Sequence, residues 1–232
     1  MTVPVTPDIP ETLDRRQGPF GEVVLRRRGA TYEIIANGCF LMDTSDGRSE
    51  RLLVDAAYLA LDPPGPDVQR PAALLIGGLG VGFSLAHAAA QPHWGRIAVV
   101  EREEAVIDWH RTGPLGAVSG AALADPRTAV LHTDLVQYVT ESADLYDALC
   151  LDIDNGPDWT VDEDNRGLYS PAGLAACRDR LRPGGVLAVW SAQPSASFEQ
   201  ALRDAGFASV RTEEVPVDRG VPDVVHLARK PA

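Results

Sequence analysis

Hydrophobic positions along the 232-residue chain fall into two rhythms. From Pro71 onward, short apolar runs alternate with stretches of helical period. Ala72 to Ile76, Arg96 to Glu101, Thr128 to His132, Tyr146 to Leu151 and Val186 to Trp190 read as strands. Between them Phe83 to Ala90, Glu103 to His110, Leu135 to Val139 and Ser197 to Ala205 read as helices. A further helix starts at Ser170-Pro171, with Ser as its cap and Pro in its first turn, and runs to about Leu181. Two last strands, Ala208 to Val217 and Val224 to Arg229, are separated only by a turn near Gly220 and so should be antiparallel. Strands alternating with helices predict an α/β fold, a doubly wound, mostly parallel, seven-stranded sheet of Rossmann-like type.

The first part of the chain has a different rhythm. Glu22 to Arg26, Thr31 to Ala36 and Cys39 to Met42 read as a small β unit. Asn37-Gly38 marks a two-residue hairpin, since a type I′ turn needs positive φ at both positions. A helix from about Arg48 to Leu61 follows, with Leu52, Leu53, Ala56, Ala57 and Ala60 at helical spacing. Asp62-Pro63-Pro64-Gly65-Pro66 then stops it. The expected organisation is an extended arm over 1–20, a hairpin unit plus helix over 21–66, and the Rossmann-like domain over 67–232.

Composition narrows the function classes. The formal charge of -12 argues against binding nucleic-acid phosphates. A hydrophobic share of 45% and a charged share of 23% are ordinary for a globular protein. Met1 to Phe20 lacks a signal-peptide core, and no run of about 18 apolar residues could span a membrane. Cys39, Cys150 and Cys177 form no CxxC pair, which fits a reducing, cytoplasmic setting.

In a doubly wound sheet, ligands sit at the carboxyl ends of the strands, so the chemistry is sought just after each strand. After the first comes Gly77-Gly78-Leu79-Gly80-Val81-Gly82. Glycine lets the main chain approach a nucleotide-like ligand, and the helix that follows offers free N–H groups. Phe83 stands where a dinucleotide fingerprint has its third glycine, so the NAD pattern is not met. After the second strand, Glu101 could accept both hydroxyls of a ribose, or be a surface acid at a strand end. After the third, Asp134 could accept the amino group of adenine, or cap the next helix. After the fourth come Asp152, Asp154 and Asn155. Paired carboxylates there can hold an ammonium substrate and take its proton. A divalent metal competes for that reading, although no loop matches EF-hand spacing. A solvated acidic loop best explains Asp162, Glu163 and Asp164. Trp159 and Trp190 are candidates to wall a pocket, and His132 lies near the expected cleft.

This order of glycine turn and acids resembles the class I S-adenosylmethionine-dependent methyltransferase fold. More narrowly, the chain resembles the spermidine synthase (aminopropyltransferase) family. The likeness is strongest in Leu74 to Gly78, in Tyr146-Asp147-Ala148-Leu149-Cys150-Leu151-Asp152 and in Leu181-Arg182-Pro183-Gly184-Gly185-Val186-Leu187. The resemblance implies that Asp152 helps deprotonate an attacking amine, Glu101 holds ribose, and Asp134 lies by adenine. It also implies a homodimer through the N-terminal β unit. The departures concern the family's acids. Its glycine turn usually carries an Asp facing the amine end of decarboxylated S-adenosylmethionine, whereas Leu79 and Val81 occupy that stretch here. Its Asp-Glu-x-x-Tyr run is replaced by Arg48 to Asp55, and its Asp-Ser-Ser-Asp-Pro run by Asp152 to Pro157. The expectation is therefore ordered. First stands a methyltransferase using S-adenosylmethionine on a small amine-bearing acceptor. A polyamine aminopropyltransferase using decarboxylated S-adenosylmethionine comes second, and a non-catalytic nucleoside- or partner-binding homologue third.

Overall fold

A computed structural model describes residues 9–61, 70–153, 155–158, 160, 165–215 and 221–232. Asp154, Trp159, Asp162, Glu163, Asp164 and the expected turn near Gly220 lie outside the described residues. The chain divides into two compact units, Met1–Asp46 and Gly47–Ala232.

The first unit is a four-stranded antiparallel meander of β1 (Glu11–Gly18), β2 (Gly21–Arg28), β3 (Thr31–Ala36) and β4 (Cys39–Asp43). Asn37 and Gly38 have φ of 51° and 79°, as a type I′ hairpin requires. The Asn37 side chain also reaches the preceding hairpin. Its Oδ1 accepts the Glu22 N–H at 2.9 Å, and its Nδ2 donates to the Phe20 carbonyl at 3.1 Å. The expected arm over 1–20 is corrected in part, because Glu11–Gly18 is a paired strand. No alternation of apolar and polar residues announces β1, since neither of its faces is buried. Ladder bonds and pairs such as Arg27–Glu11, at 2.6 Å, hold it instead.

In the second unit, α1 (Arg48–Leu59) precedes a seven-stranded sheet. The strands are β5 (Ala72–Gly77), β6 (Trp94–Glu101), β7 (Thr128–His132), β8 (Tyr146–Leu151), β9 (Leu181–Ser191), β10 (Ala208–Val215) and β11 (Asp223–Arg229). Their order is β10-β11-β9-β8-β5-β6-β7, with only the β11 pairings antiparallel. The helices between are α2 (Phe83–Ala89), α3 (Glu104–Arg111), α4 (Gly116–Leu123), α5 (Leu135–Glu141), α6 (Arg166–Tyr169), α7 (Pro171–Arg180) and α8 (Ala196–Asp204). The chain leaves β5 toward β6 and β7, then returns to the other side of β5 as β8 and β9. The switch point thus lies between β5 and β8, and a crevice opens at their carboxyl ends.

Two sequence expectations change, and one helix had not been foreseen. Helix α1 belongs with the large unit, not with the hairpins, because its buried stripe packs on β8, β9 and β11. Strand β9 begins at Leu181, so Pro183-Gly184-Gly185 lies within it. Lys230 pairs there, its N–H donating to Gly185 O at 2.8 Å and its carbonyl accepting the Gly184 N–H at 3.0 Å. Helix α4, Gly-Ala-Val-Ser-Gly-Ala-Ala-Leu, is too uniform in small residues to show a helical period.

The amino ends of the strands are tied by Asp147. It accepts the Ala73 N–H at 2.7 Å and both Arg70 guanidinium nitrogens at 2.7 and 2.6 Å. Burial works against its charge, but these bonds and the charges of Arg70 and Arg182 outweigh it and hold the carboxyl below the usual range. A depressed carboxyl contributes stability above its unfolded pKa and loses it as pH falls through the folded one. Asp147→Ala should therefore lower stability at pH 7 by roughly 2 kcal/mol in urea unfolding, with the difference shrinking below about pH 4.

Candidate active site

The glycine turn is held against β6 and β8 by its own backbone. Gly78 N–H donates to Val100 O at 2.9 Å, and Asp152 N–H donates to Gly77 O at 3.1 Å. Gly78 has φ of 90°, and a Cβ there would lie 2.8 Å from the Asp152 carbonyl oxygen. Only glycine meets both conditions. Gly82, at φ 95°, turns the chain into α2, and its carbonyl accepts the Ala86 N–H at 2.9 Å. Gly80 is also left-handed, at φ 51°. The side chains of Leu79 and Val81 are buried, so these positions pack into the protein.

Glu101 ends β6 beside this turn and is buried. Its Oε2 accepts the Leu79 N–H at 2.9 Å, and its Oε1 accepts the Glu103 N–H at 2.8 Å. One carboxyl thus fixes both the turn and the entry to α3. Burial raises its pKa against the pull of those two amides and of Arg102. Asp134 caps α5, accepting the Gln137 N–H at 2.8 Å. His132 lies at the end of β7, where its Nε2 donates to the Arg102 carbonyl at 3.0 Å.

Across the switch point stands Asp152, immediately after β8. Desolvation raises its carboxyl to about 8, and the charges of Glu50 and Asp223 push it the same way. Glu50 comes from the buried face of α1, and Asp223 opens β11. Ser49 ties those two elements, its hydroxyl donating to Asp223 Oδ2 at 3.0 Å. Cys150 and Leu53 tie α1 to β8, with Sγ at 3.7 Å from the Leu53 carbonyl. Asn155 is held on the end of β9, where its carbonyl accepts the Ala192 N–H at 3.2 Å. Gly156, at φ 109°, lets this loop lie on Ser191, whose Oγ would be 2.2 Å from a Cβ.

The structure thus brings Gly77, Gly78, Gly80, Gly82 and Glu101 together on one side of the crevice and Asp152 on the other. Asp134 is occupied as a cap, and Asp154 lies outside the described residues. Sequence reading missed Glu50, Asp223 and His110. Glu50 had a signal, because it shares the stripe of Leu53, Val54 and Ala57 and is a carboxylate on an apolar face. Asp223 had none, since it stands at a strand start where acids are common. His110, fully buried, bonds the Gly80 carbonyl from α3. Among the described residues, no group of three or more His, Cys, Asp or Glu is arranged to hold a metal ion, and no helix is long and apolar enough to cross a membrane.

Known proteins place this geometry. The chain is 28% identical over 180 residues to polyamine aminopropyltransferase 2 of Pseudomonas aeruginosa, covering 69% of this chain and 45% of that protein. It is 28% identical over 156 residues to a polyamine aminopropyltransferase of Saccharolobus islandicus, covering 64% and 46%. The chain therefore spans about half the length of the curated relatives it matches. No protein-family model matches it. Among solved structures it resembles a spermidine synthase in complex with the transition-state analogue AdoDATO, with a TM-score of 0.75 and 18% identity, over 94% of this chain and 73% of that one. The spermidine synthase of Thermotoga maritima gives a TM-score of 0.73 and 17% identity, over 94% and 72%. These relatives favour the aminopropyltransferase expectation over the methyltransferase one. In sequence the chain is similar to polyamine aminopropyltransferases, and in fold it is similar to spermidine synthases.

Proposed function

We propose that the protein transfers an aminopropyl group from decarboxylated S-adenosylmethionine to a small aliphatic amine. The observation that supports this most is the acid set on one side of the crevice: Asp152 from β8, Glu50 from α1 and Asp223 from β11. The turn's missing acid had pointed to a donor that keeps its carboxylate. Three nearby carboxyls argue the other way, since they repel a carboxylate and attract ammonium groups. The relatives' printed activity supports the same reading.

The residues present fit such a donor. Gly78 brings bare backbone against the Asp152 carbonyl, where a Cβ would lie 2.8 Å from the oxygen. Glu101 has its oxygens fixed by two amides, and each retains a lone pair that a ribose hydroxyl could use. Asp134 would lie toward the adenine. The donor supplies an electrophilic carbon beside a sulfonium, with a neutral thioether as leaving group. Displacement then needs an aligned, uncharged amine and a destination for its proton. Asp152 would accept that proton, because a carboxyl titrating near 8 is matched to a neutral working pH. Glu50 and Asp223 would hold the cationic acceptor, with Asn155 at the loop edge.

Binding and turnover test this. Calorimetric titration should show decarboxylated S-adenosylmethionine binding at least about tenfold more tightly than S-adenosylmethionine, a difference of roughly 1.4 kcal/mol. Equal or reversed affinities would sink the proposal. Asp152→Asn should cut turnover of decarboxylated donor and diamine by about 100-fold or more while changing donor affinity far less. Glu50→Gln and Asp223→Asn should raise the amine KM more than they lower kcat.

The raised Asp152 carboxyl also has a stability consequence. Between its ordinary value near 4 and its folded value of about 8, the native state holds more protons than the unfolded one. Stability from this group is therefore full at low pH and falls as pH rises through that window. Asp152→Asn should raise the melting temperature above pH 7 in the absence of ligand and lose that advantage at pH 5. Equal shifts at both pH values would contradict the assignment.

A further inference from the structure

His226 lies in the middle of β11, fully buried, and the chemistry of the crevice does not use it. Its Nδ1 is 2.9 Å from Thr212 Oγ1 on β10, and that hydroxyl is 2.6 Å from Glu199 Oε1 on α8. The Thr212 hydroxyl and, after it, the Arg203 guanidinium hold Glu199 below the usual carboxylate range. Glu199 is therefore ionised and can only accept. Thr212 donates its one proton to Glu199 and accepts from His226 Nδ1–H. The neutral ring then carries its lone pair on Nε2, which is buried without a hydrogen-bond partner among the described residues. Burial lowers the pKa of the ring, against the pull of Glu199 and of Asp158 in the loop after β8.

The same ring begins a column. His226 meets Phe198 of α8 edge-to-face, with centroids 5.3 Å apart and planes at 75°. Phe198 meets Tyr169 of α6 in the same way, at 5.7 Å and 89°. The Tyr169 hydroxyl donates to the Ile153 carbonyl at 3.4 Å, one residue beyond Asp152. Asp223, at the head of β11, is on the same strand as His226. His226 thus stands behind two of the three acids proposed to receive the amine. We infer that His226 is an acid-sensitive prop of the amine side of the crevice: the neutral ring supports β11 and the Ile153 segment, and a proton on Nε2 loosens both. This rests on the reading of Asp152, Glu50 and Asp223 as the acceptor site. The proton would put a charge and a new donor in a buried place, while Thr212 can answer only at Nδ1. Of the acids that face the ring, Glu199 is engaged by Thr212 and Arg203, and Asp158 is exposed on its loop. Unfolded histidine titrates near 6.5, so the unfolded chain takes up the proton first as pH falls. Stability from this group is full above about pH 6.5 and is lost below it, opposite in sign to that from Asp152.

The test compares wild type with His226→Phe, which keeps a ring and cannot titrate, and follows the wild-type imidazole by nitrogen NMR. Melting temperature and steady-state diamine KM are measured at about pH 7.5 and about pH 5.5, on either side of the unfolded value. Acid should lower the wild-type melting temperature by about 2 to 4 °C more than that of the variant, and raise its diamine KM about threefold more. Ionisation of the amine and of the crevice acids affects both proteins alike and cancels in the comparison. The imidazole should be the neutral Nδ1–H tautomer at the higher pH. Parallel pH responses in the two proteins overturn the inference, and so does an imidazole already charged, or protonated on Nε2, at the higher pH. If His226→Phe does not fold, wild type alone decides: protonation of the ring must coincide with faster amide exchange over Val224 to Leu227, and protonation without it overturns the inference. Absence of diamine turnover by wild type at the higher pH overturns the acceptor-site reading and this inference with it, whereas turnover with parallel pH responses overturns only the role of His226.

Discussion

The site depends on how closely two backbones meet at the switch point. The Asp152 N–H reaches the Gly77 carbonyl at 3.1 Å, one step beyond the β5–β8 ladder, and Gly78 has no room for a side chain against Asp152. This contact extends the sheet past its regular end. It places the start of the glycine turn and the start of the acidic loop side by side. Everything proposed about chemistry follows from that adjacency, because a donor on the turn and a proton acceptor on the loop would then face one crevice. The contact is also local to main-chain atoms, so the side chains around it are free to specialise.

Charge is treated differently on the two sides. Glu101 is buried, but two backbone amides satisfy its oxygens, so its carboxyl is fixed in place. Asp152 is surrounded by acids, and its proton is held by unfavourable solvation and by like charge. An arrangement of this kind costs stability when empty and becomes favourable when a cation enters, as expected where a site is shaped for its ligand more than for the fold. Glu50 makes the point clearly. A carboxylate in the stripe of Leu53, Val54 and Ala57 is unusual on the buried face of a helix, and here its charge helps to raise the Asp152 carboxyl.

Much of the fold was legible because periodicity reports burial directly. The runs from Ala72 to Gly77 and from Tyr146 to Leu151 are buried on both faces and read as parallel strands. Elements with little burial contrast were not legible, such as β1 with its polar faces and α4 with its small residues. The strand-end rule pointed to Glu101, Asp134 and Asp152, and the structure places them at the carboxyl ends of β6, β7 and β8. It could not find Glu50, Asp223 or His110, since each arrives from a distant part of the chain. The absent acid in the turn weighed toward a different donor because the acids that other elements bring to the crevice were invisible in one dimension.

The crevice divides the sheet into two kinds of element. Donor contacts would come from β5, β6 and β7, with His110 behind them, while the carboxyls come from β8, β11 and α1. The two sets meet along the β5–β8 ladder and at the backbone bridge between Gly77 and Asp152. On the proposed reading, substitution on α1 or at the head of β11 would shift acceptor preference and leave the donor contacts in place. A scaffold partitioned in this way is suited to diversify along one axis while conserving the other.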